Sequence, residues 1–223
     1  MRMRIKDTEK IKDGKVLRRI YNLLYSSFGP RRWWPADTPF EVIIGAILTQ
    51  NTAWTNVVRA INNLKENKLL TPRKLHEVNK SRLAMLIRPA GYFNIKSSRI
   101  KHFMNFLFSE YGGSLKKMFK ENTYKLREKL LSVKGIGPET ADSILLYAGE
   151  RAIFVVDAYT KRILSRHGIL NGDMGYNEIQ AYFMARLPED ARLYNEFHAL
   201  IVQTGKEFCR TKPICHKCPI KGL

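Results

Sequence analysis

The chain has 223 residues, 44% of them apolar, and carries 39 Lys and Arg against 20 Asp and Glu, a formal charge of +19. There is enough apolar material for a core, which argues against wholesale disorder, and no apolar run approaches the roughly 20 residues of a membrane-spanning helix. The charge exceeds what solubility asks for and points to nucleic acid, whose phosphates shed counterions to basic side chains. A basic protein whose charge does nothing specific is the bland alternative. An anionic membrane surface is disfavoured, because no segment joins a basic face to a strongly apolar one.

The N-terminal stretch MRMRIKDTEKIKDGK is charged throughout and lacks the apolar segment of a signal peptide. The expectation is a cytoplasmic, nucleoid-associated protein acting as a monomer. Apolar residues at three- and four-residue spacing predict a helix over 14–28, ending near Gly29-Pro30. RRWWPADTP reads as a loop. Thr38 is placed to cap a helix that carries Pro39 and Glu41 in its first turn and runs through FEVIIGAILTQ. TAWTNVVRAINNLKEN follows as a second helix. Further helices fit near 72–77, 80–88, 94–111, 121–132, 138–149, 158–167, 176–186 and 190–206. Only AIFVVD has a β-branched run, too short between helices to build a sheet. The fold class is mainly α.

Residues 123–149 read as helix, tight turn, helix. Leu126, Leu130 and Leu131 form one apolar face, and Ala141, Ile144, Leu145 and Ala148 form the other. The turn Gly135-Ile136-Gly137 allows positive φ at its glycines and leaves the backbone uncovered. Backbone N–H groups there, with Lys134, make a seat for a phosphate; taken alone, the same residues also suit an ordinary αα-hairpin. Asp157 closes the β-branched run. It is placed to cap the next helix, and a cap would also hold its carboxylate still for chemistry.

The three tryptophans, Trp33, Trp34 and Trp54, fall within 22 residues. Aromatic faces stack on bases, although tryptophans also fill cores. The three cysteines, Cys209, Cys215 and Cys218, crowd the last fifteen residues. That argues against a disulfide framework and for a thiolate-bound metal or cluster.

Over residues 126–166 the pattern L-x-x-x-x-G-I-G-x-x-T-A-x-x-I-L, then V-V-D-x-x-x-x-R, resembles the helix-hairpin-helix plus Gly/Pro-Asp DNA glycosylases, the endonuclease III superfamily. The likeness extends more loosely over nearly the whole chain. It implies two helical domains flanking a cleft. One is a six-helix domain over 32–149 that carries the hairpin; the other joins 1–31 to 150–223. It implies double-stranded DNA containing a damaged base as partner and Asp157 as the catalytic carboxylate. Such a group favours the oxocarbenium character that develops as an N-glycosidic bond breaks, and can orient the attacking water, once the base has left the stack. Lys134, Gly135, Gly137, Thr140 and Arg162 are matched to DNA binding. Gln50 is matched to the residue that fills the hole left by the flipped nucleotide. Members that also cleave the strand carry a lysine two residues after the second hairpin glycine; here that residue is Glu139, which cannot form an imine.

A narrower branch, the endonuclease III-like 3-methyladenine DNA glycosylases, is similar in its W-W-P loop. It is similar too in F-E-x-x-x-G-A-[IV]-L-T-Q-N-T with an aromatic residue after it, in RPAGYFNIK (88–96) and in FHALIVQTGK (197–206). This likeness implies that Trp54 stacks on the extruded base, that Trp33, Trp34 and Pro35 form the opposite wall, and that Lys206 lies near the site. No acidic residue is evident to read a base edge, which suits selection of a labile alkylated purine by charge and stacking. His198, on an apolar helix face, is read first as a core residue. Mismatched thymine, uracil or an oxidised pyrimidine are other specificities within the class. A non-catalytic helix-hairpin-helix DNA-binding protein is the alternative outside it.

Endonuclease III-type enzymes close with four cysteines around a [4Fe–4S] cluster, usually as C-x6-C-x2-C-x5-C. Here the spacing is C-x5-C-x2-C, and the fourth position falls just after Leu223, where the sequence stops. The resemblance implies a structural [4Fe–4S] cluster in the native protein. Zinc with His216 as fourth ligand is the awkward alternative.

Overall fold

A computed structural model describes residues 3–31 and 33–223, with side chains from Gly14 onward. Met1, Arg2 and Arg32, the last a member of the RRWWPADTP loop, lie outside the described residues. Among the described residues every regular element is helical. The chain divides into two compact units, Trp34–Arg151 and Met1–Trp33 with Ala152–Leu223.

The first unit is built on α2 (Pro39–Thr49), which is buried from Phe40 through Leu48. Thr38 caps it, its hydroxyl accepting from the Glu41 amide at 3.2 Å, with Pro39 in the first turn. A helix apolar all round must be enclosed. Here α3 (Trp54–Glu66), α6 (Phe93–Tyr111) and α9 (Pro138–Ser143) pack against it. Shorter helices α4 (Pro72–Glu77), α5 (Lys80–Leu86) and α7 (Leu115–Met118) complete the outer turns. α7 has too few residues to show a period, so the sequence does not announce it.

The hairpin joins α8 (Thr123–Ser132) to α9, which passes into a π-helical turn over Ile144–Ala148. Leu126, Leu130, Ala141, Ile144 and Leu145 are fully buried beneath it. A bidentate pair holds the two helices together. Arg127 on α8 donates to Asp142 on α9 at 2.6 and 3.0 Å, and Asp142 has no exposed surface.

In the second unit α1 (Met3–Phe28) and α10 (Ala158–Arg166) pack on α12 (Ala191–Glu207), and α11 (Tyr176–Met184) completes the unit. α1 begins earlier than its apolar spacing predicts. An aromatic core fills the interior: Phe154 stacks on Phe183 at 3.9 Å, and Phe197 meets both edge-on. The AIFVVD run forms no regular element among the described residues. Its backbone is served by side chains instead, Gln180 donating to the Phe154 carbonyl at 2.6 Å. This buried segment delivers Asp157 to the start of α10.

Candidate active site

Asp157 is the N-cap of α10. Its Oδ1 accepts from the Thr160 amide at 2.7 Å and from the Thr160 hydroxyl at 2.8 Å, a capping box. Val155 and Val156 are buried behind it, so the carboxylate has little freedom. One oxygen is thus spent on the cap while the other, Oδ2, faces His198 Nε2 at 3.7 Å. His198 is buried, and burial lowers its pKa, with the Asp157 charge opposing. Its imidazole is therefore neutral near pH 7. The core reading of His198 holds, with the addition that it abuts the candidate carboxylate.

Lys206, on the last turn of α12, lies with its ammonium 5.6 Å from the centre of the Trp33 ring. Desolvation of its head lowers its pKa, and Asp157 pulls in the other direction. Asp157, His198, Lys206 and Trp33 thus form one group within a single unit. α12 comes close to α10 because residue 205 is glycine: a Cβ there would lie 2.2 Å from the Tyr159 ring.

In the other unit Trp34, Trp54 and Tyr147 form an aromatic cluster. Trp34 meets Trp54 edge-on at 5.2 Å, 87° between planes, and Tyr147 at 5.2 Å. Two rings in edge contact leave no parallel slot between them in this arrangement. A cavity of about 270 Å³ opens beside them instead, lined by Trp34, Pro35, Gly45 and Trp54 and, at one side, by Asp37, Glu41 and Lys65. Lys65 bridges the two carboxylates at 2.7 and 2.8 Å, and Glu41 is nearly buried. Acidic groups therefore line one cavity beside the tryptophans, both of them paired with Lys65. α2 places Glu41 one turn before Gly45, a juxtaposition that helical spacing encodes but that composition does not flag.

Gln50, just past α2, donates to the Gly135 carbonyl at 3.1 Å and to the Thr140 hydroxyl at 2.8 Å, and accepts from Arg99. The sequence separately assigned Gln50, Gly135 and Thr140 to DNA, and these three meet here. Gly135 needs its glycine: φ is +94°, and a Cβ would press on Arg99 Cγ at 2.4 Å. Gly137 does not share this need, since its φ is −95°. Its use is exposure, because a Cβ there would meet nothing within 4 Å. Lys134 is exposed beside the turn, its carbonyl 3.0 Å from His102 Nδ1.

Arg162, matched to DNA binding by the resemblance, also makes bonds within the protein. Its guanidinium donates to the carbonyls of Cys209 at 2.8 Å and Gly205 at 3.3 Å, over the Tyr159 ring. Arg166 grips the same tail through the carbonyls of Arg210 at 2.6 Å and Thr211 at 3.2 Å, and lies 3.3 Å from Cys209 Sγ. Cys209, Cys215 and Cys218 line one cavity of about 100 Å³. Burial raises the Cys218 thiol, and Cys209 and Cys215 add to the rise. The donors suit a thiolate-bound cluster in kind, but they are three where a cubane takes four. Among the described residues no group of three His, Cys, Asp or Glu is arranged to hold a metal ion.

Residues 44–189 match the family model described as HhH-GPD superfamily base excision DNA repair protein. The chain belongs to the HhH-GPD superfamily of base excision DNA repair proteins. Among curated HhH-GPD relatives, a Methanocaldococcus jannaschii protein named "Putative DNA repair glycosylase MJ1434" is 50% identical over 209 residues, covering 93% of this chain and 94% of its own. Endonuclease III of Sulfolobus acidocaldarius is 31% identical over 184 residues, 82% of this chain and 79% of its own. Among solved structures, H. pylori 3-methyladenine DNA glycosylase bound to 1,N6-ethenoadenine is 32% identical, with a TM-score of 0.75 over 87% of this chain and 97% of that one. A trapped endonuclease III–DNA covalent intermediate shares the HhH-GPD fold at 22% identity, with a TM-score of 0.80 over 93% of each chain. Among the described residues no helix is long and apolar enough to cross a membrane.

The sequence reading missed Arg99 and Lys96, which hold the Gln50 turn. It also missed Tyr92, an aromatic side chain that is 67% exposed on a backbone with φ of +44°. A glycine preceding two aromatic residues in RPAGYFNIK was the available signal.

Proposed function

We propose that this DNA repair glycosylase hydrolyses the N-glycosidic bond of alkylated purines, 3-methyladenine first, in duplex DNA, and leaves the strand intact. The reading is carried by the geometry of Asp157: a rigid carboxylate with one oxygen fixed by its own helix and the other beside a neutral imidazole. A fixed negative charge favours the cation that grows on the sugar, and most strongly where water is scarce. Asp157 also accepts a proton from, or aims, the attacking water. Lys206 is offered as the neighbour that tunes this charge, and Trp33, Trp34, Pro35 and Trp54 as the base-binding residues. The hairpin residues Lys134, Gly135 and Gly137, with Thr140 behind them, are offered to the DNA backbone, and Gln50 to the hole left by the flipped nucleotide. The 32% identity to a 3-methyladenine DNA glycosylase supports the specificity. Hydrolysis without strand cleavage is supported by Glu139, which stands in the first turn of α9 and cannot form a Schiff base.

We further propose that Cys209, Cys215 and Cys218 hold a [4Fe–4S] cluster in the native protein. Such a cluster would fix the tail and take no part in the reaction. Iron and sulfide counts on protein purified without air would check it. The charge of +19 supports a cytoplasmic monomer associated with the nucleoid.

The test is release of methylated bases from alkylated duplex DNA. Wild type is expected to release 3-methyladenine, and Asp157→Asn to lose about a hundredfold to a thousandfold in single-turnover rate. Release that survives the substitution would remove Asp157 from the mechanism. Release of thymine or uracil alone would overturn the specificity. Nicking before alkali would overturn the strand-sparing chemistry.

A further inference from the structure

Lys96 is among the largest fully buried side chains, with 1% of its surface exposed. Its ammonium donates to three neutral acceptors: the Leu48 carbonyl at 2.8 Å, the Thr52 hydroxyl at 2.5 Å and the Ala90 carbonyl at 2.7 Å. The Thr52 hydroxyl passes the link on, donating to the same Ala90 carbonyl at 2.5 Å. Burial, and after it the like charge of Arg99, lowers the amine to about 8. Burying an ammonium among neutral groups is costly, and an apolar side chain would fill the space without that cost. The position therefore serves more than packing.

What Lys96 joins is specific. Leu48 and Thr52 flank Gln50, and Ala90 stands two residues before Tyr92. Both turns contain a non-glycine residue in the left-handed region, Asn51 at φ +52° and Tyr92 at φ +44°. Such residues persist only where their surroundings fix them. Arg99, one turn along α6, binds the Gln50 side chain itself. One helix thus holds the Gln50 turn by its backbone and by its side chain.

We propose that Lys96 is a positioning residue for base extrusion, tying the Gln50 turn and the Tyr92 turn into one rigid edge that enters the base stack as a unit. The inference rests on the reading of this protein as a glycosylase of duplex DNA. It places no part of Lys96 in contact with the reacting atoms.

Two duplexes separate this role from a merely structural one. The first carries 2-aminopurine opposite a tetrahydrofuran abasic analogue, so that unstacking of the opposite base raises fluorescence. The second carries a methylated purine either paired or opposite an abasic site, where no partner base has to be displaced. Lys96→Met is expected to bind the first duplex but lose its fluorescence gain. It should slow release from the paired lesion at least about tenfold, and from the unpaired one less than about threefold. Thr52→Val removes the bridging hydroxyl and leaves the buried ammonium in place with one acceptor fewer, and should give the same pattern at smaller amplitude even if Lys96→Met does not fold. Equal losses on paired and unpaired lesions, or a wild-type fluorescence gain in both variants, would overturn the proposal. If wild type releases no alkylated purine, the specificity has failed, and the fluorescence arm still decides the role of Lys96.

Discussion

The hairpin at Gly135 and the tail after α12 are both irregular turns clamped by arginine, yet they are clamped by different physics. At the hairpin, Arg127 meets a fully buried carboxylate, Asp142, with two bonds above a floor of buried leucine and isoleucine. At the tail, Arg162 and Arg166 meet four neutral carbonyls, near a cavity that the cysteines line. A charge paired inside the protein must be matched or it destabilises strongly. A guanidinium on carbonyls near the surface contributes modestly and can be replaced by water. The hairpin is therefore held by matched charge, whereas the tail is held by carbonyls beside an open cavity.

That contrast can be broken by experiment. Arg127→Ala should cost about 3 kcal/mol in denaturant unfolding, because it removes the bidentate partner of buried Asp142; a loss below about 1 kcal/mol would erase the distinction. Gly135→Ala should cost about 2 kcal/mol through its positive φ and the press on Arg99. Adding Arg99→Ala should return the steric part but not the backbone part, a non-additivity that a double-mutant cycle reads directly.

Stability should also depend on pH beneath the hairpin side. The folded-state pKa of Lys96, about 8, lies below its ordinary 10.5. The folded protein thus resists the proton that the unfolded chain takes up. Its contribution is unfavourable below pH 8 and improves as pH rises through 8 towards 10. The gain should be on the order of 2 kcal/mol, and Lys96→Met should flatten it. The smallest effect is expected at the tail. Arg166→Ala should cost about 1 kcal/mol, while limited proteolysis over 209–214 rises and hydrogen exchange at the hairpin is unchanged.

How much of this was readable in advance follows from the range of each signal. α2, α4 and α10 were legible because cap residues and apolar spacing are local. Asp157 was legible as both cap and candidate acid, since one position satisfied both rules. Lys96 was not, because its acceptors at Leu48 and Thr52 lie more than forty residues away and nothing periodic marks them. The carbonyl partners of Arg162, on Cys209 and Gly205, were hidden for the same reason. The edge-on meeting of Trp34 and Trp54 depends on rotamers, which no pattern of residue types encodes.

Gly45 sits under the Trp34 indole, where an added methyl carbon would approach the ring nitrogen to 3.3 Å. A single absent carbon therefore sets how deeply that indole settles onto α2 and, with it, the width of the adjoining hollow. Alanine or serine at residue 45 would press on that indole and require it to give by a few tenths of an ångström.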